Sequence, residues 1–232
     1  MDKDFSKYYK ITDKEFWRNY WFYYRVHTIV GVIVAALIIG TVVSFVTRVN
    51  PDILIMHIGG GLFDEEWIPD MEAYAAEKTP DINEDGKQVV SFQTLIYNES
   101  LDAQMALASM TKADLEFAGG DSTLVLVDET TMARYINMEV FQDLTDYVQQ
   151  LNIAPERLKY SEDGSRPLLV NITNTRFVAE GGYQGPDLYL GLRVIPQSMQ
   201  KKKIMLDRAE ASKQLFENII TDDTIVSKKH GI

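Results

Sequence analysis

The sequence predicts an α/β protein in which a single N-terminal transmembrane helix precedes a mostly parallel sheet with covering helices. Two observations carry this prediction. Residues 28–47 contain no charged side chain, and residues 53–220 alternate short apolar runs with segments whose apolar residues recur at helical spacing. A helix of about 20 apolar residues crosses a hydrocarbon core of about 30 Å. Alternating strands and helices are typical of a parallel sheet covered by helices.

The uncharged run is interpreted as an uncleaved membrane anchor. A helix in the core of a soluble protein rarely stays apolar on all its faces over this length. A signal peptide has a shorter apolar stretch, followed by a cleavage site of small residues. Residues 44–48, Ser-Phe-Val-Thr-Arg, offer no such site. The sequence therefore predicts a single-pass protein of the cell membrane.

The charges on either side of the run predict its orientation. Residues 1–27 hold six basic and four acidic side chains, which leaves 17 of the 23 basic and 30 of the 34 acidic groups for the remainder, a net charge of −13. Basic flanks stay in the cytoplasm, so the N-terminus is expected inside and the C-terminal domain outside. Aromatic residues precede the run, and Trp and Tyr favour the headgroup layer. The residues expected at the membrane interface are Trp17, Tyr20, Trp21, Tyr23 and Tyr24.

Five segments follow from these patterns. They are a cytoplasmic aromatic and basic segment at 1–27, the transmembrane helix at 28–47, a linker at 48–52, the extracytoplasmic α/β domain at 53–220 and a flexible tail at 221–232. The domain is expected to be soluble without its anchor. The chain has no cysteine, so the domain must depend on its hydrophobic core rather than on disulfides.

Within the domain, apolar runs predict strands near 53–58, 89–97, 123–127, 168–173 and 188–194. In the last of these, Leu and Val alternate with Tyr189, Gly191 and Arg193, which predicts one solvated face. A helix is expected to begin at Ser100 and to bury Met105 and Ala108. Further helices are expected after Pro69, over 129–138 and 141–151, and over 206–220.

Polar residues follow the first three predicted strands, and carboxyl ends of strands are where open α/β sheets bind ligands. Backbone amides, hydroxyls and carboxylates there suit a polar or cationic small ligand. The same residue types also serve as helix caps and tight turns, and that alternative stays open. The candidate ligand-binding residues are Gly59, Gly60, Gly61, Glu99, Ser100, Asp128 and Thr130.

A second candidate site is a weak calcium loop. Residues 81–86 read D-x-N-x-D-G, the opening of a calcium-binding loop, with Asp81, Asn83 and Asp85 as ligands. The twelfth position should be a bidentate glutamate and is Phe92 instead. An ordinary polar turn is the alternative, because Asn, Asp and Gly are frequent turn residues.

Composition and motifs argue against two classes of function. The acidic domain would repel the phosphates of nucleic acid. The nucleophile, zinc and phosphate-loop motifs G-x-S-x-G, H-E-x-x-H and the P-loop do not occur, and the three histidines are far apart in the sequence. His57, at a predicted strand end, could serve as a base, although a lone histidine is more often structural. The sequence predicts a protein that is not an enzyme and needs no cofactor.

Residues 121–144, DSTLVLVDETTMARYINMEVFQDL, resemble the stretch of bacterial extracellular solute-binding proteins in which a strand ends in an acidic residue and a helix follows. The order of elements resembles one lobe of their type 2 periplasmic-binding fold, and residues 16–28 resemble small membrane-anchored proteins of Gram-positive bacteria. A complete solute-binding protein has two lobes and a lipidated cysteine, so its clamshell mechanism does not carry over. The resemblance implies a non-catalytic solute-binding-like module of the cell envelope, accessory to a membrane transporter. The alternative is an envelope protein that uses the lobe to dock a partner protein.

Overall fold

The apolar N-terminal segment forms one continuous helix. The computed structural model describes residues 14–47, 50–97 and 103–222, and its first element is the helix α1 (Lys14–Thr47). Within α1, residues 20–44 have a mean hydropathy of 2.5 and none of them is buried in the protein, and this is the one described helix long and apolar enough to cross a membrane. The predicted helix is confirmed, and its insertion in a bilayer and its orientation stay predictions.

The chain divides into two compact units, Met1–Val49 and Asn50–Ile232. In the described part of the second unit, strands and helices alternate as the apolar runs predict. The elements are β1 (Ile53–Gly59), α2 (Ile68–Ala76), β2 (Val90–Ile96), α3 (Ala103–Gly119), β3 (Leu124–Asp128), α4 (Met132–Asn137), α5 (Thr145–Leu151), β4 (Leu158–Tyr160), β5 (Pro167–Asn171), α6 (Arg176–Glu180), β6 (Leu188–Leu192) and α7 (Lys203–Thr221).

All six strands form one sheet in the order β2-β1-β3-β6-β5-β4. The strands β2, β1 and β3 are parallel to one another, whereas β6 runs antiparallel to β3 and the remaining pairs are antiparallel. The predicted α/β class with covering helices is confirmed, and the sheet, expected to be mostly parallel, is parallel in β2, β1 and β3 and antiparallel beyond them. The parallel half places the carboxyl ends of β1, β2 and β3 at one edge of the sheet.

Both faces of the sheet are covered, which explains why β1 and β3 are continuous apolar runs. On one face, residues such as Ile55 and Leu126 pack against α2, α6 and α7. On the other face, Ile58 and Val127 pack against α3 and α4. This double layer of helices gives the domain two hydrophobic cores separated by one sheet.

Two finer expectations from the sequence are wrong. The strand β6 has no solvated face, because all of its residues are buried between β3 and β5. The helix α3 buries Ala106, Ala113 and Phe117, while Met105 is 58% exposed. The buried stripe of α3 thus falls on positions 106, 113 and 117, and the large apolar side chains of Leu107 and Leu115 lie outside it.

Candidate functional site

The glycine turn after β1 and the turn after β3 meet at one edge of the sheet. Ile58 is the in-register neighbour of Val127, so Gly59 to Gly61 continue beside Asp128 and Thr130. The structure brings together five of the seven residues predicted for ligand binding. Glu99 and Ser100, the other two, lie outside the described residues, and ligand binding by the whole set stays a prediction.

The Asp128 carboxylate fastens the two turns together. Its Oδ2 accepts the backbone N–H groups of Gly60 at 2.6 Å and Gly61 at 2.9 Å. Its Oδ1 accepts the Thr130 N–H at 3.0 Å and the Thr130 hydroxyl, and the side chain is fully buried. Four donors use the acceptor capacity of one carboxylate. Asp128 therefore clamps the two turns together, and the helix cap that the sequence offered as its alternative role differs from this, because the N-cap residue of α4 is Thr131.

Glycine is required at position 59 by the clamp. A Cβ on Gly59 would overlap the Asp128 carboxylate. The glycine turn thus reflects the close approach of a carboxylate from a neighbouring strand. Thr130 also accepts the Gly60 N–H, at 3.2 Å, and Thr130 is exposed to solvent. Of this group, Thr130 is the side chain that a solute can reach.

A buried polar and aromatic cluster lies beside the clamp. His57, near the end of β1, is fully buried, and its ring is 5.1 Å from that of Phe63 and 6.0 Å from that of Tyr183, between centroids. Neither ring nitrogen has a hydrogen-bond partner among the described residues. Burial lowers the pKa of His57 to about 4, a shift that the nearby Asp128 charge partly opposes. The imidazole is therefore neutral at pH 7.

Two further polar atoms of this region are buried without a partner in the described part of the chain. They are the hydroxyl oxygens of Thr94 and Tyr183. Thr94 is the in-register neighbour of His57 on β2, so both side chains leave the sheet on the same face. Burial, together with the charges of Asp128 and Asp187, raises the pKa of Tyr183 above its ordinary value. Sequence reasoning named His57 as a possible base but neither Thr94 nor Tyr183, because the proximity of the three depends on the sheet register and on a distant loop.

A groove of about 500 Å³ lies at the opposite edge of the sheet, near Val194. Val194 follows β6, whose Leu192 pairs with the first residue of β3. Phe141 and Leu168 belong to the apolar part of its lining, and Arg166 and Glu139 form a long ion pair of 3.6 Å at its rim. None of the residues predicted for binding lines this groove.

The predicted calcium loop is held by its own backbone. The carboxylate of Asp81 accepts the Gly86 N–H at 2.8 Å, and the side-chain oxygen of Asn83 accepts the Asp85 N–H at 2.9 Å. Asp85 in turn accepts the Lys87 N–H at 2.9 Å. These bonds are those of an ordinary polar turn, the alternative that the sequence left open. Calcium binding by Asp81, Asn83 and Asp85 stays a prediction, and no cluster of three or more acidic, His or Cys side chains with metal-site geometry occurs in residues 14–47, 50–97 and 103–222.

The residues predicted for the membrane interface lie on the first half of α1. Trp17 and Trp21 are each 54% exposed, and the rings of Tyr20 and Tyr24 stack with centroids 5.4 Å apart. Tyr23 is exposed as well. Their contact with a bilayer stays a prediction.

The helix α3 presents an apolar surface to solvent, which the sequence analysis did not foresee. Leu107 and Leu115 are each 68% exposed. Their side chains lie on the side of the helix away from the buried Ala113 and Phe117. Scattered apolar residues are ordinary on protein surfaces, but large apolar residues grouped on one helix are typical of interaction sites.

No protein-family model matches the chain, and no curated protein matches it. Among solved structures, it is similar to an ABC substrate-binding protein from Listeria monocytogenes in complex with cycloalternan, with a TM-score of 0.30 and 22% sequence identity. The match covers 46% of this chain and 24% of that protein. The fold class of the domain therefore rests on the sheet and helices described above and not on this match.

Proposed function

We propose that this chain is a membrane-anchored, non-catalytic binding module whose extracytoplasmic domain takes a small polar solute at the carboxyl edge of its parallel strands. The observation that supports it is the meeting of the glycine turn with the turn of Asp128 and Thr130 at that edge. Ligands of open α/β sheets bind at such edges. A transporter that receives the solute is the corresponding partner.

The anchor is the first part to test. The full chain, carrying a C-terminal tag, is expressed in bacterial cells, and protease is added to spheroplasts. The domain beyond Pro51 should be degraded, whereas residues 1–27 should be protected, because basic flanks stay inside. Protection of the C-terminal domain would contradict the orientation, and release of the tagged domain without protease would indicate a cleaved leader.

Solute capture is tested by the thermal shift of the full chain in detergent micelles against sugars, amino acids, short peptides and divalent cations. A solute at a hundred times its Kd adds about 2.7 kcal/mol, which is several degrees for a domain of this size. Thr130→Val should remove the shift. Thr111→Val is the matched control, because Thr111 is an exposed threonine whose hydroxyl donates only within α3, to Leu107 O at 2.8 Å.

The exposed apolar surface of α3 supports a second candidate, docking of a partner protein in the envelope. Chemical crosslinking in intact cells should then capture one membrane protein reproducibly. Leu107→Ser with Leu115→Ser should remove this crosslink, while Leu206→Ser, at a residue 49% exposed on α7, should leave it in place. A crosslink that depends on α3, together with no thermal shift from any solute, would favour docking over solute capture.

A further inference from the structure

The buried polar cluster beside the Asp128 clamp lies under one loop. Residues 181–187 connect α6 to β6, and they cross the glycine turn after β1. The loop is fixed there by three backbone hydrogen bonds: Leu62 N–H to Gln184 O and Gln184 N–H to Leu62 O, both of 2.8 Å, and Asp64 N–H to Gly181 O, of 3.1 Å. Its tip at 184–187 is exposed to solvent, and the Asp187 carboxylate accepts a hydrogen bond from the Asn171 side chain at 3.1 Å. Tyr183 is the residue of the loop that points inward, with its ring centroid 4.9 Å from that of Phe63.

Glycines allow the loop to approach this closely. A Cβ on Gly185 would lie 2.6 Å from the Gly61 Cα, and Gly182 has a left-handed φ of +58°. The closed position therefore depends on glycine at 185, and larger residues there would lift the loop. Glycine also gives the backbone the freedom that a moving segment needs.

The closed loop leaves hydrogen-bonding groups unsatisfied. The Tyr183 hydroxyl and both ring nitrogens of His57, whose ring centroid lies 6.0 Å from that of Tyr183, are buried without a partner in the described residues, and so is the hydroxyl of Thr94 beside His57. A polar group that is buried unpaired destabilises the closed position, because it has lost its hydrogen bonds to water. Opening the loop would return the Tyr183 hydroxyl to water, at the expense of the backbone bonds to Leu62 and Asp64 and of the contact between the Tyr183 and Phe63 rings. These bonds and contacts are local to the loop, so its opening does not require the domain to unfold.

The chemistry of the exposed groups defines what they bind. A neutral imidazole offers one donor and one acceptor, and each hydroxyl can act as either. Asp128 has no free acceptor, because its oxygens are used by the clamp. The rings of Phe63 and Phe92, with centroids 4.7 Å apart, supply an apolar wall. Such a set suits a neutral ring that carries hydroxyl groups.

We propose that residues 181–187 form a lid over a polar site made by His57, Thr94 and Tyr183, and that the open site takes a small neutral ligand bearing hydroxyl groups. The ligand part rests on the proposed solute-binding function, whereas the lid part does not. The lid is tested first, without any ligand.

The test of the lid uses the full chain in detergent micelles and the acylation of His57 by diethyl pyrocarbonate, followed by mass spectrometry of the His57 peptide. A disulfide between Leu62→Cys and Gln184→Cys locks the lid. The two residues exchange both backbone hydrogen bonds, so their Cα atoms lie about 5.5 Å apart, within disulfide range. The chain has no cysteine of its own, so the bridge is unique.

The amide of Leu126 in β3 exchanges only on global unfolding, so its exchange rate serves as the reference for global unfolding. The acylation of His57 in the unmodified chain should be faster than this exchange. Oxidation of the double-cysteine variant should slow the reaction at least about tenfold, and reduction should restore it. Gly185→Ala should accelerate the reaction. Gly119→Ala, where a Cβ meets nothing within 4 Å, should not change it. Equal rates in the oxidised and reduced variants, or reaction no faster than Leu126 exchange, would overturn the lid.

The ligand part is tested with myo-inositol, a neutral ring of hydroxyl groups, against inorganic phosphate as a charged probe. At high concentration, myo-inositol should slow the acylation of His57 at least about twofold in the reduced variant, and phosphate should not. Protection by phosphate alone, or by neither probe, would overturn the neutral hydroxylated class while the disulfide experiment decides on the lid separately. A thermal shift lost in Thr130→Val with no protection of His57 would place solute capture at the exposed turn instead.

Discussion

Replacing His57 with phenylalanine should make the stability of the domain less sensitive to acid. The folded protein holds this imidazole neutral, with a pKa of about 4 against an ordinary value of 6.5. Because the unfolded chain binds the proton more readily, stability falls as the pH decreases below about 6.5, and the loss is complete near pH 4. This difference in pKa corresponds to about 3 kcal/mol in total, of which about 2 kcal/mol is lost between pH 7 and pH 5.

Urea unfolding of residues 50–232, which form their own compact unit, measures the effect at pH 7 and pH 5. Trp67 is the single tryptophan of this segment and reports unfolding by fluorescence. The phenylalanine ring retains the packing against Phe63 and removes two unpaired nitrogens, so His57→Phe should be at least as stable as the unmodified domain at pH 7. Its loss of stability between pH 7 and pH 5 should be smaller by about 2 kcal/mol. Equal losses in both proteins would refute a neutral buried imidazole.

Three further predictions concern the residues that hold the domain together. Arg193→Met should lower the free energy of unfolding by about 3 kcal/mol, because the Arg193 guanidinium donates to the carbonyls of Phe117, Gly120 and Ser122 at the end of α3. A loss below about 0.5 kcal/mol, measured by urea unfolding, would contradict this. Asp128→Ala should destabilise the domain by about 2 kcal/mol and speed amide exchange in the glycine turn, since the clamp is structural; unchanged exchange would return Asp128 to the ligand-binding role. Calcium at 1 mM should change the melting temperature of neither Asp81→Ala nor the unmodified chain. A shift confined to the unmodified chain would establish the calcium loop.

The strands that the sequence locates best are those buried on both faces. Continuous apolar runs mark β1 and β3, and their predicted bounds agree with the structure to within a residue or so. A short strand or helix at the surface has no such signal. The three residues of β4 and the five of α6 were missed for that reason, because their pairing and packing come from distant parts of the chain.

The errors in side-chain direction have a different cause. Alternation in β6 indicated one wet face, but Arg193 lies just after this strand and is buried because three backbone carbonyls accept its donors. A charged side chain is a good marker of a solvated face only when nothing inside the protein can satisfy it. In α3, the apolar spacing predicts that Met105 faces the core, whereas the buried positions are Ala106, Ala113 and Phe117. Both outcomes depend on tertiary contacts that a single segment does not contain.

In the candidate site, the sequence likewise predicts where residues lie but not what they do. Carboxyl ends of parallel strands share an edge, so the sequence could place Gly60 beside Asp128. It could not determine whether a carboxylate there binds the protein or a ligand, because both roles use the same residue type. The hydrogen bonds in the structure distinguish these two roles. Asp128 accepts four and has no capacity left, while His57 and Tyr183, which no motif marked, are buried with none among the described residues. The buried polar groups without a partner among the described residues of this region therefore lie beside the 181–187 loop, whereas Thr130 lies exposed at the clamp.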